Sequence, residues 1–395
     1  MVLEPTVDLP RSDPGAALLA SLSDMDGGII VAGGGPVGST LGLMLPGALV
    51  LEAATFPRDK PCGEGLMPSG AEVLRQAGVD LGSEGFPALR GVRYSLPAGN
   101  SARAGFVGGC GYGARRTRLD SLLAERAGVR SGVRVTAVRP FADRVEVDTS
   151  DGTVVGSVLI AADGIRSPVA RMMGWWRPSR GRPRYGLVGH LAVDWSRQDV
   201  EVGLLGEVET YLAPVGPGEV LLAVLGSRGD LRVPGMTGEE SYRATVDRIH
   251  PELSSAPLLG GLTGAGPFNL RPQRVAEGRV FLAGDAAGFL DPLTGDAMSA
   301  GLAQARALAT FLTEDLEGAA PRYRRWVASQ WRRRALVASL ARRLSASPRL
   351  SRRAIAGAGH RPEALQALLS VNDGSQPLRT VTARDWAALL GVTYR

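Results

Sequence analysis

Short continuous apolar runs, bounded by glycine and proline, dominate the first part of this chain. Ile29-Ile30-Val31-Ala32 reads as a buried strand that runs into Gly33-Gly34-Gly35-Pro36-Val37-Gly38, and an apolar stretch over residues 37–45 follows as a helix stopped by Pro46-Gly47. Ala48-Leu49-Val50-Leu51-Glu52 is then a second strand that ends in an acid. The pattern predicts a strand-helix-strand unit with parallel strands and a right-handed crossover.

Further on, Leu119, Leu122, Leu123 and Ala127 recur at helical spacing, so a helix follows Arg116-Thr117. Alternating strands are expected over 133–138 and 145–147, then a turn at Ser150-Asp151-Gly152 and one apolar strand over 154–162 that stops at Asp163-Gly164. Residues 182–270 are richer in strands, notably 207–212 and 220–225 around Pro214-Val215-Gly216-Pro217-Gly218. A buried strand over 279–283, Gly284-Asp285, a loop holding Pro292 and a helix over 295–316 come next. Residues 321–353 form a helical stretch with eleven arginines and no acid.

Composition narrows the picture. With 395 residues, 44% hydrophobic and 21% charged, the chain has the make-up of a globular protein with a sizeable core. The net charge of +6 comes from arginine, Lys60 being the one lysine, and neither a zinc-ligand spacing nor an aromatic RNA-binding motif accompanies it, which argues against nucleic acid. Cys62 and Cys110 make neither a disulfide framework nor a metal site, and point to a reducing cytoplasm. Residues 1–26 read as an acidic N-terminal extension without the basic start of a signal peptide, and no stretch is apolar enough to span a membrane.

The chemistry starts at the glycine turn. Gly33 permits the tight bend, Gly35 lets the backbone approach a pyrophosphate, and Gly38 brings helix and strand together. The helix start at Pro36 and Val37 offers unpaired N–H groups and a positive dipole to phosphates. Glu52, followed by Ala53, stands where a carboxylate accepts from a ribose diol. The 14 residues from Gly38 to Glu52 fall short of the usual spacing by about one turn, roughly 3.6 residues, which predicts a looser hold on the ADP half. A glycine turn of this kind also arises for packing alone.

Two later motifs weigh on that choice. Ala161-Ala162-Asp163-Gly164-Ile165-Arg166-Ser167 and Val280-Phe281-Leu282-Ala283-Gly284-Asp285-Ala286-Ala287-Gly288 resemble signatures of the FAD-binding group A flavin monooxygenase and geranylgeranyl reductase superfamily, in the expected order, over residues 28–318. Asp59-Lys60-Pro61-Cys62-Gly63-Glu64-Gly65-Leu66 is similar to a loop of the reductase branch, and Arg115-Arg116-Thr117-Arg118-Leu119-Asp120 to the family's Arg-x-x-Leu-Asp helix start. The resemblance implies FAD as cofactor and NAD(P)H as a transient reductant. It implies that Arg116 reaches the phosphate and adenosine region and that Asp285, beside Gly284, bonds the ribityl chain. Asp163 would support the pyrophosphate from behind, or simply cap a helix.

The same resemblance places Pro292, Gly295, Asp296 and Ala297 at the pyrimidine edge of the flavin, where a helix start stabilises the charge gained on reduction. Asp296-Ala297 departs from the usual Glu-Gly, and the extra methyl predicts a slightly displaced flavin. The implied fold class is α/β with α+β character. A Rossmann-like FAD-binding domain over 27–85, 114–180 and 271–320 interleaves with a mostly antiparallel β-sheet substrate domain over 86–113 and 181–270, and a basic helical C-terminal region covers 321–395.

No acid/base dyad, nucleophile with its base, or metal cluster stands out. The pocket candidates are Cys62, His190, Tyr211 and Pro292, of which Cys62, His190 and Tyr211 read equally well as packing residues. Trp175-Trp176-Arg177-Pro178 lacks the spacing of a halogenase element. Arg332, Arg333, Arg334, Arg342 and Arg343, beside Trp326, Leu336, Leu340 and Leu344, form either a solvated face or a surface for an acidic partner, which would be anionic lipid at the membrane periphery or an acyl-carrier domain. Three functions stay open: oxygenation of a lipophilic or polyketide-like small molecule with NAD(P)H and O2, reduction of an alkene, and a cyclase or binding scaffold in which FAD is structural or lost.

Overall fold

The computed structural model describes residues 28–97, 99–178 and 182–391. The extension read over residues 1–26 lies outside them. Strand β1 (Ile29–Ala32), helix α1 (Pro36–Met44) and strand β2 (Leu49–Glu52) form the expected unit, with Val31 beside Val50 in a parallel pair. The short link closes without distortion, since Gly33 donates its N–H to Leu51 O at 2.7 Å.

These strands belong to a six-stranded sheet in the order Ala276–Glu277, Val280–Leu282, Val158–Ala161, β1, β2 and Arg130–Ser131, parallel except at the Ala276–Glu277 edge. Every residue of β1 and of Val158–Ala161 is buried, because both faces are covered. The two-residue period of the strand sorts the side chains. Ile29 and Val31 pack with Leu41, Leu308 and Tyr323 on the helical face, while Ile30 and Ala32 pack with Val145, Val147 and Trp175 under an antiparallel meander.

The second layer is a seven-stranded sheet that runs from Thr263–Ala265 through Tyr185–Ala192, Glu219–Gly226, Glu209–Gly216, Asp199–Leu204 and Gly91–Ser95 to Ser101–Gly105. One face buries Leu212, Leu222 and Val224 against the helix Gly238–Ile249. The other face carries Val202, Tyr211, Ala213 and Ala223 toward the nucleotide-binding body and the C-terminal helices Pro348–His360 and Pro362–Asp373. Those helices cover the Ser101–Gly105 edge, where Gln366 Nε2 donates to Gly105 O at 3.2 Å.

Three expectations are corrected. The apolar run over 154–162 is two strands, Gly152–Gly156 in the meander and Val158–Ala161 in the nucleotide sheet. The chain changes sheet at Ser157, whose N–H donates to Gly28 O. The helix expected over 295–316 is Ala297–Glu314, and Asp315 caps a new helix, Leu316–Ser345, by accepting from Gly318 N at 3.0 Å. The basic stretch over 321–353 is also broken. Ser347 accepts from Leu350 N ahead of Pro348, which restarts the chain as a separate helix.

Candidate FAD site

Three motifs far apart in sequence meet at the mouth of α1. A Cβ on Gly33 would lie 2.4 Å from Ala162 O, one on Gly38 1.8 Å from Gly33 O, and one on Gly284 3.1 Å from a Val37 methyl. Gly33 and Gly284 are therefore fixed by contact between motifs, and Gly38 by the turn itself. Gly35 differs. A Cβ there would meet only the guanidiniums of Arg58 at 3.4 Å and Arg116 at 3.9 Å, so this glycine keeps a cradle open beside two cations. No side chain caps α1 and its first turn holds no acid, which leaves its N-terminal N–H groups for an anion.

The surrounding charges are held in place. Arg116 is buried and bonds Asp120 through Nε and Nη2, both at 2.7 Å, while Arg58 bridges Asp120 at 3.3 Å and Glu52 at 3.2 Å. Glu52 also accepts from Gly34 N at 2.9 Å and Ala54 N at 3.0 Å. These three donors leave about one of its roughly four acceptor positions for a ribose hydroxyl. Glu52 is thus first a strut for the turn, and Ala53 beside it is exposed.

Asp163 supports the start of the short helix Pro168–Met172, accepting from Val169 N at 3.0 Å beside the Ser167 cap, and its other oxygen is buried without a partner. Burial pushes the Asp163 carboxyl up, and it pushes Asp285 up too, against the pull of Lys60, Arg116 and Arg334. Lys60 keeps a solvent-exposed surface, yet the cleft walls and the neighbouring Arg58 and Arg116 lower its pKa. An open glycine cradle, an uncapped helix start, paired guanidiniums and an orphaned carboxylate oxygen fit the pyrophosphate and ribityl half of FAD.

At the other end, Pro292–Thr294 is a single 3-10 turn that stops at Gly295 with φ +64°, and Ala297 opens the long helix. Asp296 does not point its carboxylate at a cofactor. It is buried against Arg334 Nε at 2.5 Å and accepts from Thr294 Oγ1 at 2.6 Å, so only its backbone is left for a flavin edge. Tyr211 lies between this loop and the Lys60–Leu66 segment, since Cβ atoms on Gly63, Gly65 and Gly295 would all meet its ring or hydroxyl. Burial raises the Tyr211 and Cys62 pKa values, and the Cys62 Sγ accepts from Glu64 N at 3.4 Å. A small apolar pocket walled by Tyr211, Gly295, Leu293 and Val202 adjoins them.

His190 is not a free catalyst. Its Nε2 lies 3.1 Å from the buried Glu64, whose other oxygen accepts from Arg116 N at 2.8 Å and Arg115 Nη1 at 3.1 Å. Arg115 in turn pairs with Asp59 and Glu219. Glu64, at φ +54°, ties the loop, the Arg116–Arg126 helix and the second sheet together. Sequence reading missed this role, as it missed Arg58. The available signals were an acid set among loop glycines and a cation soon after β2. Glu64→Ala is expected to cost about 3 kcal/mol in urea unfolding, because it breaks a buried pair. Glu64→Gly should cost about 1 kcal/mol less, because it relieves the left-handed backbone.

The basic C-terminal surface is also corrected. Arg334 is buried, Arg342 approaches Asp291 at 3.8 Å, and Leu336 faces solvent, so the stretch is no simple amphipathic face. Arg334 anchors the loop from Pro292 to Asp296 instead. Among the described residues no helix is long and apolar enough to cross a membrane, and no His, Cys, Asp and Glu cluster could hold a metal.

The glycine turn, the two acidic motifs that close on it and the ring-side loop define a dinucleotide-binding flavoprotein. The chain belongs to the family of FAD-dependent oxidoreductases whose model, described as FAD binding domain, matches residues 27–342. It is 31% identical over 319 residues to the dialkyldecalin synthase of Streptomyces rugosporus, covering 74% of this chain and 66% of that one. It is 31% identical over 322 residues to the menaquinone reductase of Mycobacterium tuberculosis, with 72% and 76% covered. The rifampicin monooxygenase of Streptomyces venezuelae is 26% identical over 326 residues, with 74% and 65% covered. The crystal structure of a flavoprotein/dehydrogenase from Cytophaga hutchinsonii shares the fold, with a TM-score of 0.79 at 19% identity over 91% of this chain and 98% of that one.

Proposed function

We propose that this protein is an FAD-dependent monooxygenase that uses NAD(P)H and O2 to oxygenate a lipophilic or polyketide-like small molecule. The observation that carries the reading is the pocket between the ring-side loop and the second sheet, which is apolar and holds no charged side chain. When bound, FAD would relay the nicotinamide's two electrons to O2, which would supply the oxygen atom. The protein's part is to hold the cofactor and exclude water. Val202, Leu293 and the ring of Tyr211 wall the pocket, and the backbone of Pro292 to Ala297 would face the flavin edge that gains charge on reduction. The rifampicin monooxygenase relationship supports the oxygenation chemistry.

A second reading draws on the same pocket. Without an acid or base, it would also suit a cyclase that shapes an apolar chain while FAD stays structural, and the dialkyldecalin synthase relationship supports that case. Product analysis under air and under nitrogen separates the readings. Oxygenation is expected to consume NAD(P)H and O2 together and to add an oxygen atom to the product. Conversion under nitrogen with NAD(P)H consumed marks an alkene reductase, and conversion needing neither, at unchanged mass, marks a cyclase. The location inferred is cytoplasmic. Arg332 and Arg343, which remain exposed, support contact with an acidic carrier or lipid surface.

A further inference from the structure

The helices Pro348–His360 and Pro362–Asp373, beyond the part matched by the family, roof a cavity of about 90 Å³ against the second sheet. This chamber and the smaller pocket beside Gly295 share Tyr94, Leu293, Thr294 and Leu369 as walls. Its lining holds no charged residue. Two of its polar side chains are satisfied: the Ser351 hydroxyl donates to Leu344 O at 2.6 Å and the Thr294 hydroxyl bonds Asp296.

Asn372 differs from these two. It is 4% exposed, its Nδ2 donates to Thr294 O at 2.8 Å, and its Oδ1 is buried without a hydrogen-bond partner. The amide orientation follows from its neighbour, because the flipped form would set two acceptors against each other at that distance. A buried amide oxygen left unpaired is destabilising, and one in a cavity wall is relieved when a ligand donor reaches it.

We propose that Asn372 is a specificity residue whose Oδ1 accepts a hydrogen bond from the substrate. The ligand class that follows is neutral and mostly apolar, elongated enough to enter both chambers, with one hydroxyl or N–H beside Thr294, where the two chambers meet. A charged group would be stripped of water in this lining without a partner. The inference rests on the reading of the joined chambers as the substrate site.

The test is calorimetric binding to the FAD-loaded full chain of two probes, 1-octanol and its methyl ether, which differ in the donor. Wild type is expected to bind the alcohol about three- to tenfold more tightly than the ether, the worth of one neutral hydrogen bond. Asn372→Leu should bring the ratio to about one by weakening the alcohol and leaving the ether within about twofold. Asn372→Ala removes the same acceptor without adding a branched chain, and decides the matter if the leucine variant fails to fold. A preference for the alcohol that survives in either folded variant overturns the proposal, as does equal binding or no saturable binding of the two probes by wild type. Binding is read without turnover. A protein that selects the alcohol through Asn372 yet never consumes O2 keeps this inference and removes the oxygenation reading.

Discussion

Gly35→Val is expected to yield folded protein that purifies without flavin absorbance and binds added FAD on the order of 100-fold more weakly, a loss of about 2.7 kcal/mol. The backbone at Gly35 has φ −74°, which any residue adopts, and a Cβ there meets Arg58 and Arg116 only at ordinary contact distance. The chain itself therefore tolerates the side chain. What the valine methyls fill is the cradle in front of those two guanidiniums, where a pyrophosphate would accept from the start of α1. Gly38→Ala, three residues on, should behave oppositely. Its Cβ would sit 1.8 Å from Gly33 O, inside the backbone of the turn, so that variant is expected to be recovered largely insoluble. Circular dichroism and flavin content of the two proteins separate a binding defect from a folding defect. Full flavin occupancy in Gly35→Val would show that the turn serves packing alone.

The contrast between those two glycines marks how far the sequence could be read. Strand-turn-helix-strand order was legible because it rests on local rules of period and turn chemistry, and the Asp163-Gly164 and Gly284-Asp285 motifs were legible through their resemblance to a known family. The shortened link from Gly38 to Glu52 reads as a weakness, but the nine-residue helix closes in register all the same. Contacts across long separations were not legible. Glu64 and His190 meet from 126 positions apart, and an apolar run does not reveal that the chain changes sheets at Ser157. Arg334 sits among Arg332, Arg333, Arg342 and Arg343 with nothing in its neighbourhood to single it out; only the packing of Leu316–Ser345 against the loop from Pro292 to Asp296 turns it inward.

That inward turn gives the second large effect. Arg334→Met is expected to destabilise the protein by about 3–5 kcal/mol, because it leaves Asp296 as an unpaired buried carboxylate. At roughly 2.1 cal/mol/K of unfolding entropy per residue, this corresponds to a Tm lower by about 4–6 °C. FAD affinity should fall with it, since Asp296 opens the helix at the ring-side loop and its carboxylate also fixes Thr294. Arg333, Asp285 and Asp373 are other charges that interact with Asp296. Asp296→Asn combined with Arg334→Met removes both charges and keeps an acceptor for Thr294, so the double variant should recover more than half of the lost stability. A single variant that melts with wild type would mean that the helix Leu316–Ser345 does not hold the loop from Pro292 to Asp296 through this pair.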